Sequence, residues 1–193
     1  MAQRRFLDLP NIEIGQIVLR KICLQDAEDL FECLSDPVLT ERMMHCRVET
    51  LHAMRQRICG YLREYERHTN VRFGAVLREK HKMIGSVMLM PIQTHEKASM
   101  GFYIHRAYWG HGYATDMVRA AIDFAFAKAG FTEIEARCFV ENIASARVME
   151  RCGMRDCGMA CGYYFIQGVQ RKVKQYYICK EDWREAYGKT NAT

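Results

Sequence analysis

The segment Tyr108-Trp109-Gly110-His111-Gly112-Tyr113-Ala114-Thr115 carries two glycines one residue apart, just before a stretch with helical periodicity. Glycine tolerates the backbone of a tight turn and lets the main chain come close to a ligand. The first-turn N–H groups of the helix that follows have no partner within the helix. With the helix dipole they form a site suited to a phosphate or pyrophosphate. Thr115 can add a hydroxyl. The bland alternative is that the glycines only turn the chain. The pattern is not GxGxxG, because position 115 is Thr, and no GxxxxGK[ST] occurs. Neither a Rossmann dinucleotide site nor a P-loop is supported. A second segment, Asn142-Ile143-Ala144-Ser145-Ala146-Arg147-Val148-Met149-Glu150-Arg151-Cys152-Gly153-Met154, leaves a strand and enters a helix. Alone, Asn142 reads as an N-cap, Ser145 as a hydroxyl capping locally in the first turn, and Arg147 as a partner for Glu150 on an exposed face.

The elements that must position these residues follow from periodicity. Ile17–Ile22 is short and β-branched, a first strand. Gln25–Leu34 places Ala27, Leu30, Phe31 and Leu34 at helical spacing and ends at Ser35-Asp36-Pro37. A second helix is predicted from Leu51 to about Tyr65. Val71–Arg78, Met83–Met90 and Ala98–Ile104 read as an antiparallel meander, with Pro91–Lys97 as a loop, because the connections are too short for crossovers. Gly112–Ala129 is a strong helix stopped at Gly130, and Thr132–Phe139 alternates as a strand, completing a βαβ unit. Ala144–Arg151 is a short helix, and strands at about Gly162–Ile166 and Lys172–Cys179 close the chain. This order predicts a mixed α/β (α+β) sheet with helices on both faces, not a regular doubly wound fold.

Composition bounds the possibilities. A chain of 193 residues matches one domain, 1–193, at roughly 150 residues per domain. Hydrophobic residues at 49% and charged residues at 26% exclude disordered and collagen-like classes. No apolar run approaches the roughly 20 residues of a membrane helix, and Met1–Arg5 leads to no signal-peptide core. The expected location is the cytoplasm. Nine cysteines occur without a CxxC pair, and no histidine lies close to Cys152, Cys157 and Cys161. They read as small apolar residues in a reduced protein, with no metal expected. A net charge of +5 suits an anionic ligand and does not by itself imply nucleic-acid binding.

Together, the two motif segments resemble the GNAT (GCN5-related) N-acetyltransferase superfamily, and within it the ribosomal-protein N-terminal acetyltransferases (RimJ/RimL-like). Trp109-Gly110-His111-Gly112-Tyr113-Ala114 is similar to the family's phosphate loop, with Trp in place of the usual Arg or Gln. Ala98–His105 resembles its fourth strand, and Asn142–Met154 its NxxSxRVxEKxGF helix. Ile17–Pro37 and Lys174–Trp183 also fit, so the likeness spans about residues 15–185 in order. The resemblance implies a mostly antiparallel sheet of about 6–7 strands, splayed between the fourth and fifth, holding acetyl-CoA in the gap. Amides around Trp109, Gly110, His111, Gly112, Tyr113, Ala114 and Thr115 would hold the pyrophosphate. Phe102, Tyr103 and Ile104 would pair with pantetheine, and an N–H there would polarise the acetyl carbonyl. Asn142 would bind the pantetheine arm, Arg147 a CoA phosphate, and Ser145 would donate to the leaving thiolate, since Met149 replaces the tyrosine many members use there. The glutamate often found two residues before the strand glycine is Ser99. Candidate bases are Glu96, His95, His105 and Glu135, with His105 also readable as packing.

The implied activity is acetyl transfer from acetyl-CoA to a primary amine by direct attack, with a protein or peptide N-terminus, such as that of a ribosomal protein, as acceptor. The alternatives are a small amine (polyamine, amino acid or aminoglycoside) and a non-catalytic acyl-CoA-binding domain. The segment Val38–Glu66, expected on the substrate side, mixes Arg42, Arg47, Arg55, Arg57 and Arg63 with Glu41, Glu49 and Glu64, which disfavours a polycation. No specific nucleic acid or membrane is expected as a partner, and the chain would act as a monomer or homodimer.

Overall fold

A computed structural model describes residues 9–44, 47–92, 96–160, 164–166 and 168–187. Five strands come first to hand: β1 (Ile12–Ile14), β2 (Ile17–Arg20), β3 (Val71–Leu77), β4 (Lys82–Ile92) and β5 (Lys97–Ile104). They form an antiparallel run in chain order. Between β2 and β3 lie α1 (Ala27–Ser35), α2 (Pro37–Thr40) and α3 (Leu51–Arg67). After β5 come α4 (Tyr113–Ala127), β6 (Glu133–Phe139), α5 (Ile143–Arg151), β7 (Arg155–Met159), β8 (Tyr164–Ile166), β9 (Val169–Arg171), β10 (Val173–Cys179) and α6 (Lys180–Tyr187). The main sheet has eight strands in the order β1-β2-β3-β4-β5-β6-β10-β7, and β8 pairs with β9 in a separate two-stranded sheet.

Helices cover both faces, as the periodicity predicts. Val71, Phe73, Ala75 and Leu77 of β3 point to the face covered by α4 and α5, where Met117, Val118, Ala121 and Met149 are buried. Val76 and Met83 point the other way, onto Leu30 and Leu34 of α1 and Met54 and Ile58 of α3. The helix boundaries have local causes. The Thr50 hydroxyl accepts from Ala53 N–H at 3.1 Å to start α3, and His68 in the left-handed region (φ 52°) ends it. Pro37 starts α2 directly after α1, with the Asp36 carboxylate accepting from Val38 N–H at 2.9 Å. The Ser35-Asp36-Pro37 stop is therefore also a helix start.

Several predicted boundaries need correction. The sheet exceeds the expected 6–7 strands, because its edge strands β1 and β7 carry little pattern. All five residues of β7 are exposed, so this edge strand has no buried face to create alternation. The predicted loop Pro91–Lys97 is mostly strand: Pro91 pairs with Ala98 and Ile92 with Lys97. Proline is tolerated there because β3 pairing stops at Leu89, so its missing N–H has no ladder partner on that side. Part of the strand predicted at Gly162–Ile166 lies outside the described residues.

The break in the sheet positions the site. β5 and β6 pair in parallel, but only over Lys97–Met100 and Glu133–Ala136. Beyond them, Phe102–Ile104 stays paired to β4 alone and Arg137–Phe139 to β10 alone. With the undetected β1 counted, the predicted gap between fourth and fifth strands is the gap between β5 and β6.

A buried carboxylate ties the chain where β2 enters α1. Burial alone would raise the Asp26 pKa, but Arg20 donates to both its oxygens (2.8 and 2.6 Å) and Cys23 N–H donates at 2.8 Å, so it is held below its ordinary range. A depressed carboxyl stabilises the fold above its unfolded pKa and loses that contribution as pH falls through the folded value. Asp26→Asn should cost about 2 kcal/mol in urea unfolding at neutral pH. The gap from wild type should narrow once pH drops below 3.8. An unchanged gap at low pH would show that the charge is not the source.

Candidate active site

The glycine turn has the predicted backbone. Gly110 (φ 81°) and Gly112 (φ 85°) are both left-handed, and Gly112 is the N-cap of α4. A Cβ on either would meet nothing within 4 Å, so the conformation, not packing, calls for glycine. A glycine cap offers no side chain to the first-turn amides of α4; the Thr115 N–H donates to the Gly112 carbonyl at 2.9 Å, and those of Tyr113 and Ala114 are left for a ligand. Side chains brace the turn from outside. Trp109 Nε1 donates to the Ile104 carbonyl at 2.7 Å and closes the end of β5, while Tyr113 donates to Gln16 at 2.6 Å. His111 bonds the Trp109 carbonyl and stacks on Tyr113.

This turn opens on a cavity of about 320 Å³ in the mouth of the gap. Phe102, Tyr103, Ile104, Trp109, Gly110, Gly112, Tyr113, Ala114, Thr115, Asn142, Ser145 and Arg147 all line it. Of the residues singled out from sequence to bind the cosubstrate or assist the leaving thiolate, His111 alone is not among them. Arg42 and Arg151 also line it, and among the described residues no Asp or Glu does. An open cradle of amides whose charged neighbours, among the described residues, are all arginine fits a pyrophosphate-bearing cosubstrate.

Asn142 caps α5: its Oδ1 accepts from Ser145 N–H at 3.2 Å, and its Nδ2 donates to the Arg42 carbonyl at 3.3 Å. Its amide therefore joins the start of α5 to the segment after α2. Arg42 also lies over the Trp109 ring, 5.1 Å from the centroid. Arg147 is exposed and makes no salt bridge among the described residues; Glu150 instead accepts from Tyr176 at 3.4 Å. Met149 is fully buried in the core.

A second cavity, about 240 Å³, lies on the α3 side of the gap. It shares Arg42, Met43, Phe102, Tyr103, Asn142 and Ser145 with the first. Its floor is one face of the sheet, since Arg72 lies opposite Met88, Met88 opposite Gly101, Ser86 opposite Tyr103 and Met90 opposite Ser99. Arg137 completes the cationic lining, and among the described residues again no Asp or Glu is present. Sequence reasoning missed Arg72, Ser86, Met88, Met90 and Arg137. The available signal was polar residues interrupting apolar strands, which has no meaning until the strands are registered.

None of the described candidate bases lines either cavity. His105 accepts from Ala107 N–H at 3.1 Å and meets Glu32 at 3.3 Å, so it caps a turn. Glu135 is engaged by Arg137 (3.1 Å) and Gln175 (3.2 Å). Glu96 is exposed, and its carbonyl accepts from Thr132. His95 lies outside the described residues. The described cysteines are free thiols. Burial pushes Cys138 up to about 11 and Cys152 up to about 12, so both stay protonated and behave as apolar filling. Among the described residues no group of three or more His, Cys, Asp or Glu is placed to hold a metal, and no helix is long and apolar enough to cross a membrane.

A sheet split beside a glycine turn at a helix N-terminus defines a class of acyl-CoA-dependent transferase, and the comparisons agree. The family model described as an acetyltransferase (GNAT) domain matches residues 16–155, and the chain belongs to that family. It is an N-acetyltransferase that uses acetyl-CoA. An uncharacterized N-acetyltransferase of Bacillus subtilis (strain 168), YoaA, is 26% identical over 172 residues, covering 89% of this chain and 97% of the relative. The ribosomal-protein-S5-alanine acetyltransferase of Vibrio fischeri superposes with a TM-score of 0.80 at 22% identity, over 90% of this chain and 98% of that one. The spermidine N-acetyltransferase of Vibrio cholerae, solved with CoA and spermine, gives 0.76 at 22% identity, over 87% and 98%. At these identities the solved structures establish the fold alone.

Proposed function

We propose that this protein acetylates the α-amine of a protein or peptide N-terminus, in the cytoplasm, using the chain as one catalytic domain. The observation that carries this reading is the absence of any carboxylate or histidine from the described lining of both cavities. Attack requires a neutral amine. An α-amine has a pKa of about 7.7–8.0, so a useful fraction is neutral near pH 7 without a strong base, whereas a lysine at about 10.4 is almost wholly charged. A polyamine would in addition want acidic groups, and the lining is basic. A ribosomal-protein N-terminus is one acceptor of this class.

Acetyl-CoA, when bound, supplies an acetyl group activated as a thioester. The first-turn amides of α4 hold its diphosphate, and Arg147 faces its phosphates. The free edge of Phe102–Ile104 aligns the pantetheine arm as an added strand. The Ser145 hydroxyl lines both cavities, at the junction where the acetyl group must pass from one to the other. It donates a hydrogen bond to the departing sulfur. Asn142 sets the start of α5, and so the position of Ser145.

Acetylation of a peptide panel, spermidine and an N-blocked lysine peptide tests this reading. Peptides with free N-termini should be used with kcat/KM at least about tenfold above the other two. The rate at limiting peptide should rise with pH and level off above about 8, as the α-amine itself deprotonates. Preference for spermidine would refute the α-amine reading.

A further inference from the structure

Three residues that line the second cavity each carry a buried polar atom with no hydrogen-bond partner among the described residues: Arg72 Nε, Ser86 Oγ and Tyr103 Oη. Ser86 is only 1% exposed. Native structures leave few such atoms unmet, so three around one cavity call for a ligand group that meets them. The strand register places all three on the same face, with Ser86 directly across from Tyr103 and Arg72 two residue pairs further along, opposite Met88.

The three groups have one ability in common, which is to donate. A guanidinium N–H can only donate, and the hydroxyls can turn to do so. Burial lifts the Tyr103 phenol well above its ordinary range, so it keeps its proton. Arg72 is also preset. Its guanidinium stacks 3.9 Å from the Tyr61 ring centroid, and its Nη2 contacts Glu64 at 3.4 Å and Met88 Sδ at 2.8 Å, leaving Nε over. Glu64 and Glu135 stand behind Arg72 and Arg137 and are not among the lining residues. The complement of three donors is a group with lone pairs and no protons. A carboxylate offers about four acceptor sites, whereas an ammonium offers none. Around it, Met43, Met44, Met88, Met90 and Met100 supply an apolar wall that adapts to varied shapes.

We infer that the acceptor amine carries a carboxylate, held by Arg72, Ser86 and Tyr103 while the amine reaches Ser145. This rests on reading the second cavity as the acceptor side. The carboxylate comes either from an acidic side chain in the first residues of a peptide or from the α-carboxyl of a free amino acid.

The test is kcat/KM on wild-type enzyme for C-terminally amidated peptides that differ only in Glu, Gln or Lys at the second residue. Free amino acids and their amides form a second arm, and spermidine a third. The expected result is at least about a tenfold preference for Glu over Gln, with Lys poorest. Arg72→Gln should bring the Glu/Gln ratio to near one, and Ser86→Ala should reduce the ratio part-way. Equal use of the three peptides overturns the inference and leaves the α-amine reading standing. Use of free amino acids but not of their amides or any peptide supports the carboxylate and refutes the peptide acceptor. Preference for spermidine overturns both. Should Arg72→Gln fail to bind acetyl-CoA, the wild-type panel and Ser86→Ala still decide.

Discussion

Ser145→Ala should lower kcat about 100-fold and leave the acetyl-CoA dissociation constant within about twofold, the signature of a lost proton donor. Ser145 borders both cavities, and its hydroxyl makes no hydrogen bond among the described residues. The helix cap it joins uses its backbone N–H and the Asn142 side chain, so alanine keeps the cap. Steady-state kinetics with calorimetry separates the outcomes. Full activity in Ser145→Ala would remove the serine from the chemistry and return it to helix capping. Loss of acetyl-CoA binding with loss of rate would place it in binding instead. Ser145→Thr retains a hydroxyl, and its partial activity would tie the defect to the O–H.

Gly112→Val should weaken acetyl-CoA about 10- to 100-fold by calorimetry, equivalent to about 1.4–2.7 kcal/mol. Two effects combine. A β-branched residue resists φ of 85°, and a side chain there would crowd the first-turn amides proposed to hold the diphosphate. Gly158→Val is the control, because Gly158 has nearly the same conformation (φ 82°) and the same open surroundings, but lies on the edge strand β7. It should lose stability and bind acetyl-CoA normally. Equal effects of the two variants on binding would reduce the glycine turn to a fold requirement.

The candidate site was legible on its cosubstrate side because that side is local. Gly110, Gly112 and the first turn of α4 lie within a few residues of one another, and so do Asn142, Ser145 and Arg147. Turn chemistry and helix caps act over that range, so the residues can be read in order along the chain. The second cavity was mostly illegible for the opposite reason. Arg72, Ser86 and Tyr103 come from three strands and meet only through register, and a slip of one residue would turn each to the other face. The same logic explains His105 and Glu135. Both are titratable residues on segments near the site, and only side-chain geometry shows them occupied by Glu32 and Arg137.

By itself, then, the chain's periodicity determined most helices and central strands, and its glycine and Asn-Ser motifs pointed to an acyl-CoA enzyme. Those signals arise from neighbours in sequence, where backbone preference and amphipathic spacing suffice. The tertiary structure decided how far β5 and β6 stay paired, which face of β3–β5 lines the second cavity, and that the charged residues of this lining, among the described residues, are all arginine. Burial and unsatisfied hydrogen bonds are properties of what surrounds an atom, so no reading of single residues could have supplied them.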